Sequence, residues 1–342
     1  MILLSPGPVN ISERVREALA GPDRCHREPE YARIQSDVRG LLQELFAPDH
    51  AVALLTGSGT AAVEAAIGSL VPPGATLLVA NNGVYGDRMA AVARALGIEV
   101  REARFPWTEP VDPAVLARQA DGVAAIAMVH HETTTGLINP VAEVARLGPL
   151  MIVDSVSGLG GERIDVSTLD AVVGTANKCL QGAPGVAFVL VKRERLGAAR
   201  RSYYLDLARY TRDEIPFTPA VPAMAAFREA LLELRQETVE GRIARYRTIS
   251  GELRAGFDRL GLEDYLPASL RSNTITTLKL PRGLTYSRLH DGLKQEDFII
   301  YRGQQALAES AFRVANMGWI PPREVARFLV CLAAFQVESC TR

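Results

Sequence analysis

The stretch AVVGTANKCLQGAPGVAFVLV, residues 171–191, contains two apolar runs separated by a lysine and a glycine-containing turn. The runs at 171–176 and 185–191 are short, nearly continuously apolar and rich in valine, which is typical of strands buried on both faces. Lys178 directly follows the first of these strands, although lysine is seldom found in a protein interior. The ordinary interpretation is a solvated surface lysine, so the surrounding chain must decide what Lys178 does.

Similar apolar runs recur toward the N-terminus and alternate with helical patterns. Buried strands are predicted at residues 51–56, 76–81, 122–130 and 150–155, in addition to the two strands above. Amphipathic helices are predicted between several of them, at 60–70, 85–97 and 140–148. Alternation of strand and helix favours a mostly parallel sheet with right-handed crossovers, so the sequence predicts an α/β fold.

The chain changes character after residue 192. A proline-rich, loop-like stretch at 212–224 leads into two long helical patterns near 223–236 and 238–261. An α+β set follows, with strands predicted at 272–280, 297–303 and 310–318, a helix near 286–295 and a final helix from about 320. We therefore predict an N-terminal segment at 1–15, a large domain at 16–235 and a smaller C-terminal domain at 236–342.

Composition excludes several classes of protein. The 342 residues carry a formal net charge of −1 without a block of like charges, so neither a nucleic-acid groove nor a membrane-surface helix is expected. The N-terminal apolar run is too short for a signal peptide and no basic region precedes it, so none is expected, and no apolar segment approaches the roughly 20 residues that span a bilayer. Four scattered cysteines without metal-binding spacing predict reduced thiols, no metal site and a cytoplasmic protein.

The segment TGSGTAAVE, residues 56–64, follows a predicted strand and opens a predicted helix. It fits the pattern G-x-G-x-x-A, a weak match to a dinucleotide fingerprint. That fingerprint requires an acidic residue after the second strand, where this chain has Asn81 and Asn82, so a nicotinamide enzyme is disfavoured. Backbone N–H groups at a helix N-terminus, beside the hydroxyls of Ser58 and Thr60, still provide a phosphate site. Simple turn chemistry is the alternative.

Two further functional groups are predicted at the same edge of the sheet. Asp154 ends one strand and Lys178 follows the next, and the carboxyl ends of parallel strands face one crevice. A helix-capping aspartate is the alternative for Asp154. Together with the phosphate site, this trio matches pyridoxal phosphate, whose phosphate binds a helix N-terminus, whose ring nitrogen needs an anion and whose aldehyde forms a Schiff base with lysine. Desolvation is expected to lower the pKa of Lys178 toward a role in proton transfer.

Other side chains fit a site of this kind. Tyr85 follows the second strand and is placed to stack on a flat ring, with a core or hinge tyrosine as the alternative. The segment VHHETTTG, residues 129–136, is polar for a strand end, so Glu132 and the threonine hydroxyls are expected to meet ligand or water. Arg313 lies within an apolar strand, where it would bind a carboxylate or form an internal ion pair. The cluster at 24–31, with Arg27, is either a ligand site or a solvated loop.

The sequence resembles the class V, fold-type I pyridoxal-phosphate aminotransferases. The resembling stretches span nearly the whole chain in the order of the family, and the most specific of them are HETTTG and NKCLQGAPGVAFV. The resemblance implies a mostly parallel, seven-stranded-type sheet with helices on both faces and a smaller C-terminal α+β domain. Its implied cofactor-binding residues are Ser58, Gly59, Thr60, Tyr85, Thr133, Asp154, Val156, Asn177, Lys178 and Thr218. Its implied substrate-binding residues are Pro6, Gly7 and Arg313, to which we add Arg27 as a hypothesis.

The resemblance also implies the reaction and the assembly. Lys178 would bind the cofactor covalently, Asp154 would hold the ring nitrogen and both would be catalytic. The branch that it resembles most transfers an amine from 2-aminoethylphosphonate to pyruvate, so a small-molecule amino donor and a 2-oxo acid acceptor are expected. A phosphonate dianion needs more cationic donors than a carboxylate does, and Arg27, Arg88, Arg302 and Arg313 are the candidates. Members form homodimers with shared active sites, in which Thr218 would reach the other subunit's phosphate. An alanine– or serine–glyoxylate aminotransferase is the near alternative, and a cysteine desulfurase, an NAD-dependent dehydrogenase and a non-catalytic cofactor-binding protein are remote ones.

Overall fold

The computed structural model describes residues 1–212 and 215–339, with side chains described as far as residue 335. Its strands are β1 (Ile2–Leu3), β2 (His50–Thr56), β3 (Thr76–Asn81), β4 (Glu99–Arg104), β5 (Ala125–Val129), β6 (His131–Glu132), β7 (Leu137–Ile138), β8 (Leu150–Asp154), β9 (Ala171–Thr175), β10 (Val186–Lys192), β11 (Ile275–Lys279), β12 (Phe298–Ile299), β13 (Tyr301–Arg302) and β14 (Ala311–Ala315). Its α-helices are α1 (Glu13–Leu19), α2 (Pro29–Phe46), α3 (Gly59–Leu70), α4 (Val84–Ala95), α5 (Pro113–Gln119), α6 (Val141–Ala145), α7 (Leu207–Tyr210), α8 (Val221–Glu237), α9 (Val239–Arg259), α10 (Tyr286–Gln295) and α11 (Pro322–Ser339).

The main sheet has seven strands in the order β2-β10-β9-β8-β5-β3-β4. The pairs from β9 across to β4 are parallel, whereas β10 runs antiparallel to both β2 and β9. The predicted α/β fold with a mostly parallel seven-stranded sheet is therefore confirmed. Because β8 and β9 are parallel neighbours, their carboxyl ends bring the segments after Asp154 and Thr175 to one edge.

One strand of this sheet was not predicted. β4 has the sequence EVREAR, in which Ala103 is buried and the charged residues are exposed or half-buried. It lies at the edge of the sheet and pairs with β3 alone. An edge strand that faces solvent does not need a continuous apolar run, so its sequence lacks the signal that marks the buried strands.

Helices cover both faces of the main sheet. Along β2, Val52 and Leu54 face a core that includes residues of α2 and α8, whereas Ala53 and Leu55 face a core built with α3 and α4. This alternation arises because successive side chains of a strand point to opposite faces. Burial on both sides explains why these strands are almost entirely apolar. The helices α1 and α2, which precede the sheet, were not predicted.

A second, three-stranded antiparallel sheet follows the long helix α9, in the order β11-β14-β13. The single strand predicted at 297–303 is wrong in one detail, because it is divided into β12, which pairs with β1, and β13, which pairs with β14. The pairing with β1 ties the N-terminal segment to this part of the fold. The division into domains at 1–15, 16–235 and 236–342 stays a prediction.

Membrane-spanning helices and paired cysteines are absent from the described residues. No helix within 1–212 or 215–339 is long and apolar enough to cross a bilayer. Cys25, Cys179 and Cys331 are free thiols, and Cys340 lies outside the described residues.

Candidate active site

A cavity of about 200 Å³ lies at the carboxyl edge of the main sheet. Nine of the residues predicted as cofactor ligands line it, namely Ser58, Gly59, Thr60, Tyr85, Thr133, Asp154, Val156, Asn177 and Lys178. They come from five separate segments of the chain. The sheet topology brings these segments together because each of them follows a strand whose carboxyl end points to this edge.

Lys178 lies three residues beyond the end of β9. Its Nζ donates a hydrogen bond to the backbone carbonyl of Pro6, so the N-terminal segment passes directly over the amine. Burial, together with the nearby positive charges of Arg313 and Arg88, lowers the pKa of Lys178 to about 8, while Cys179 and Asp154 oppose the fall. A larger fraction of the amine is therefore neutral and nucleophilic near neutral pH than for an exposed lysine.

Asp154 is the last residue of β8 and is 8% exposed. One carboxylate oxygen accepts a hydrogen bond from the backbone N–H of Val156 at 3.0 Å. Burial raises the pKa of Asp154 to about 6, while this hydrogen bond and the charges of Arg88 and Lys178 oppose the rise. The carboxylate is thus held in a desolvated position where a cationic group in contact with it would be strongly stabilised.

The start of α3 provides donors at the same cavity. Ser58 is the N-cap residue, but its side chain makes no capping hydrogen bond, which leaves its hydroxyl free for a ligand. A Cβ at Gly59 would lie 2.7 Å from a methyl carbon of Val156, so only glycine lets the helix start approach so closely. Arg88 donates a hydrogen bond to the hydroxyl of Thr60 at 3.3 Å and adds a positive charge. This arrangement suits a phosphate group.

Tyr85 is the second residue of α4, and it is half-buried beside the cavity. The guanidinium carbon of Arg88 lies 4.7 Å from the centroid of the Tyr85 ring. A cation at this distance interacts favourably with an aromatic face. The structure therefore gives Tyr85 both a flat surface toward the cavity and a charged neighbour that orients the ring.

His131 is a cavity residue that the sequence analysis did not single out. It is 1% exposed, and its Nδ1 lies 3.2 Å from the carbonyl oxygen of Ser157, so Nδ1 carries the hydrogen and donates it. Burial lowers the pKa of His131 to about 3, which keeps the ring neutral. Its Nε2 is buried and has no hydrogen-bond partner among the described residues, which fits an acceptor for a bound group. The available signal was two adjacent histidines at the end of an apolar strand.

Arg313 projects from β14 and is 3% exposed. Its guanidinium donates to the carbonyl of Thr133 at 2.9 Å, to the side chain of Gln304 at 3.2 Å and to the carbonyl of Arg302 at 3.1 Å. It forms no ion pair with any carboxylate in the described parts of the chain, so the internal ion pair considered above is not formed. A buried arginine with neutral partners alone keeps its charge available for an anionic substrate.

Pro6, Gly7 and Arg313 do not line the cavity themselves but adjoin residues that do. Three further candidates lie away from it. Arg27 is exposed and donates to the carbonyl of Ile215 at 2.9 Å. Thr218 is exposed and lines a separate, smaller cavity. Arg302 is exposed and forms an ion pair with Glu309. Nothing in this geometry assigns them to the substrate or cofactor, and their roles stay predictions.

Residues 23–316 match the family described as class-V aminotransferases. The chain belongs to this family. This class-V aminotransferase is 38% identical over 351 residues to the 2-aminoethylphosphonate–pyruvate transaminase of Syntrophobacter fumaroxidans, with 96% of this chain and 94% of that protein covered. It is 35% identical over 356 residues to the protein of the same name from Bacillus cytotoxicus, with 97% of each chain covered.

Among solved structures, the class-V aminotransferase is similar to an aspartate aminotransferase from Thermus thermophilus. The TM-score is 0.91 with 29% identity, and 99% of each chain is covered. The fold is therefore that of fold-type I aminotransferases, and pyridoxal phosphate is the cofactor. The enzyme acts on a small-molecule amino donor and a keto acid, which excludes the dehydrogenase considered in the sequence analysis.

Proposed function

We propose that this aminotransferase transfers the amine of 2-aminoethylphosphonate to pyruvate, giving phosphonoacetaldehyde and L-alanine. The observation that carries the proposal is the near full-length similarity to transaminases named for this reaction, at 38% and 35% identity. The surroundings of the cavity support it, because a buried arginine without a carboxylate partner lies near enough to the desolvated Lys178 to affect its pKa. An anionic group on the substrate would fix the amine near Lys178.

The residues that line the cavity would hold the cofactor in the manner that the sequence predicts. Ser58, Gly59 and Thr60 would bind its phosphate at the start of α3, where unpaired N–H groups and the helix dipole attract an anion. Tyr85 would cover one face of the ring and Val156 the other, while Thr133 and Asn177 would lie beside the ring substituents. When bound, pyridoxal phosphate withdraws electrons from the amine-bearing carbon and stores the amino group between the two half-reactions.

Lys178 would bind the cofactor covalently and then carry a proton. Its pKa of about 8 places the amine near the operating pH, where one group can both accept and return a proton. The carbonyl of Pro6 accepts a hydrogen bond from Nζ and so directs the amine within the cavity. Proton transfer by Lys178 Nζ at the amine-bearing carbon of the substrate is the step that we assign to it.

Asp154 would stabilise a proton on the ring nitrogen of the cofactor. The desolvation that raises its pKa also strengthens its interaction with a cation in contact, because both depend on the low local dielectric. The N–H of Val156 holds the carboxylate in one orientation, which removes the cost of reorganising it during the reaction.

The substrate's anionic end would bind Arg313, with Pro6 and Gly7 forming the wall above Lys178. A phosphonate dianion needs more positive charge than a carboxylate does, and Arg88 lies near enough to Asp154 and Lys178 to affect the pKa of both. Arg27 and Arg302 remain further candidates for this contribution.

We also propose a cytoplasmic homodimer with shared active sites that works in phosphonate metabolism. Thr218 is exposed beside an aromatic group at the surface, in which the ring centroids of Tyr204 and Phe217 are 4.8 Å apart. Tyr203, in the same group, is 71% exposed. An exposed aromatic group of this kind is typical of protein interfaces, and the family resemblance implies that Thr218 reaches the phosphate site of the partner subunit.

A panel of amino donors tests the substrate assignment. Purified enzyme loaded with cofactor is assayed with 2-aminoethylphosphonate, alanine, serine and aspartate, with pyruvate or glyoxylate as the acceptor. We expect kcat/KM to be highest for 2-aminoethylphosphonate with pyruvate. A preference for alanine or serine with glyoxylate would overturn the proposal in favour of a glyoxylate aminotransferase on the same fold.

A further inference from the structure

The first turn of α4, which carries Tyr85, is capped by residues from a distant segment. The N-cap position is Gly83, which has no side chain to accept a hydrogen bond. The N–H of Val84 donates instead to the hydroxyl of Thr134 at 3.1 Å, and the N–H of Tyr85 donates to Oε2 of Glu132 at 3.2 Å. These acceptors are 50 and 47 residues away in the sequence. The cap therefore exists only in the folded protein.

Glu132 is fully buried, and the hydrogen-bond donors to its carboxylate come from two segments of the chain. Its Oε1 accepts hydrogen bonds from the backbone N–H of Thr134 at 3.0 Å and from the Thr134 hydroxyl at 2.6 Å. Its Oε2 accepts the hydrogen bond from the N–H of Tyr85 in α4. Protein donors thus bond to both carboxylate oxygens, and the expectation that Glu132 also meets ligand or water stays a prediction. A carboxylate at a helix N-terminus is also stabilised by the helix dipole.

Gly83 is the residue that permits this contact. A Cβ at position 83 would overlap the side-chain carboxylate of Glu132. Glycine at the N-cap position therefore leaves room for the Glu132 carboxylate, which comes from a distant segment and accepts a hydrogen bond from the helix. A solvated helix start would instead prefer serine, threonine, aspartate or asparagine at this position.

The same turn is also attached to the substrate-binding arginine. The carbonyl of Thr133, between the two capping residues, accepts a hydrogen bond from Arg313 at 2.9 Å. The side chain of Thr133 lines the cavity itself. One short turn therefore contacts the helix that carries Tyr85 on one side and Arg313 on the other.

We propose that Glu132 is a positioning residue whose carboxylate, together with the Thr134 hydroxyl, caps α4 and fixes Tyr85 against the cofactor ring. Through Thr133, the same turn sets the distance between Tyr85 and Arg313, and hence between the cofactor ring and the anionic end of the substrate. The inference rests on the stacking role given to Tyr85 in the proposed function. Glu132 itself does not line the cavity, so we assign it a role in positioning other residues.

Glu132→Gln tests the cap with little change in volume. A glutamine side chain has one acceptor oxygen, so it cannot accept from both Tyr85 and Thr134, and its NH₂ group faces a donor. Glu162→Gln is the matched control, because Glu162 is also a buried carboxylate that accepts from a backbone N–H and a side chain, both of Asn273, but it does not contact α4. Thr134→Val is a second variant that removes the acceptor for Val84, and Thr134→Ser restores it.

Hydrogen exchange of the backbone amides gives a readout that does not require activity. In cofactor-free protein at pH 8, we expect the amides of Val84 and Tyr85 to exchange about five- to thirtyfold faster in Glu132→Gln, as the loss of a helix cap implies. Thr134→Val should affect Val84 most, Thr134→Ser should be close to wild type, and Glu162→Gln should leave both amides unchanged. Unchanged exchange in both Glu132→Gln and Thr134→Val would overturn the cap.

The cofactor readouts test positioning separately from capping. We expect Glu132→Gln to weaken pyridoxal-phosphate affinity, to reduce the visible circular dichroism of the bound cofactor and to lower kcat more than it changes KM for pyruvate. Faster exchange with unchanged affinity, dichroism and kcat would overturn the positioning role. The donor panel with the wild-type enzyme tests the proposed reaction independently, since amide exchange does not depend on which donor the enzyme uses.

Discussion

The Nζ of Lys178 donates a hydrogen bond to the carbonyl of Pro6, which lies 172 residues earlier in the chain. The residues just before Pro6 are fixed by hydrogen bonds to two strands, β12 and β14. β1 pairs with β12, and the N–H of Ala315 donates to the carbonyl of Leu4 at 2.9 Å. The segment before α1 is therefore part of the active-site wall.

Gly7→Ala should disrupt this wall. Gly7 has a φ of +110°, and a Cβ there would lie 2.6 Å from Nζ of Lys178. We expect cofactor loading and kcat to fall at least about tenfold, because even small misplacement of a reacting group is costly. Gly74→Ala is the matched control, since Gly74 also has a positive φ, +73°, but no atom within 4 Å of the new Cβ. Equal losses in the two variants would attribute the effect to backbone strain alone.

Lys178→Ala should abolish covalent cofactor binding. After borohydride reduction of the loaded enzyme, peptide mass spectrometry should find the cofactor adduct on Lys178 in wild type and nowhere in the variant. We expect kcat to fall by about 10²–10⁴ or more, the range for loss of a general acid–base group alone. Lys192→Ala, which removes a lysine that pairs with Asp170 at the end of β10, should retain both adduct and activity. An adduct on another lysine in wild type would contradict the assignment.

Burial of Lys178 should also affect the pH dependence of stability. Its pKa falls from an ordinary 10.5 to about 8 on folding. Between these values the unfolded chain binds a proton that the folded chain does not, so this group makes stability rise with pH. We expect Lys178→Met to increase the free energy of unfolding of cofactor-free protein by about 3 kcal/mol more at pH 7 than at pH 10.5. Denaturant unfolding of both proteins at the two pH values measures this, and a pH-independent difference would show that the amine is not desolvated.

Asp154→Asn should separate cofactor binding from catalysis. Asparagine keeps the size of the side chain but cannot stabilise a proton on the ring nitrogen by charge. We expect covalent loading to persist while kcat falls by about 10²–10³, as for removal of one preorganised electrostatic contact. Single-turnover rates with each half-reaction measure the loss. Asp170→Asn, which changes a buried aspartate near the start of β9, should leave these rates unchanged, and a kcat near wild type in Asp154→Asn would contradict the role of Asp154.

Arg313→Gln should act mainly on substrate affinity. Removing the buried charge leaves an anionic substrate without its partner, and charged hydrogen bonds contribute about 1.5–3 kcal/mol each. We therefore expect KM for pyruvate to rise by about 10- to 150-fold. Arg302→Gln, on the neighbouring strand but exposed and paired with Glu309, is the comparison. A larger rise in KM for Arg302→Gln than for Arg313→Gln would instead assign anion binding to the exposed Arg302.

Much of the fold follows from local sequence patterns. The helix predicted at 286–295 has those bounds in the structure, and the apolar strands around residues 51–56, 76–81 and 150–155 agree within one residue. These segments were predictable because burial on both faces requires continuous apolar residues and amphipathic helices require a regular period. β4 was not predictable, because a strand at a solvent-facing edge needs no continuous apolar run. The division of 297–303 into two strands was not predictable either, because a change of pairing partner leaves no pattern in the sequence.

Likewise, some residues of the candidate site could be predicted from the sequence and others could not. Lys178, Asp154 and the start of α3 could be placed from sequence, since each follows a strand of one parallel sheet and the carboxyl ends of such strands share an edge. His131 was missed because nothing in its neighbours indicates that its Nε2 lacks a partner.

The sequence by itself determined the parallel sheet and the chemical groups at its carboxyl edge, because apolar runs and strand ends are local properties. Only the tertiary structure decided what surrounds those groups. The carbonyl of Pro6 on Lys178, the carboxylate of Glu132 at the first turn of α4 and the neutral partners of Arg313 all join segments that are far apart in the chain. Such contacts depend on how whole elements pack, which no short stretch of residues specifies.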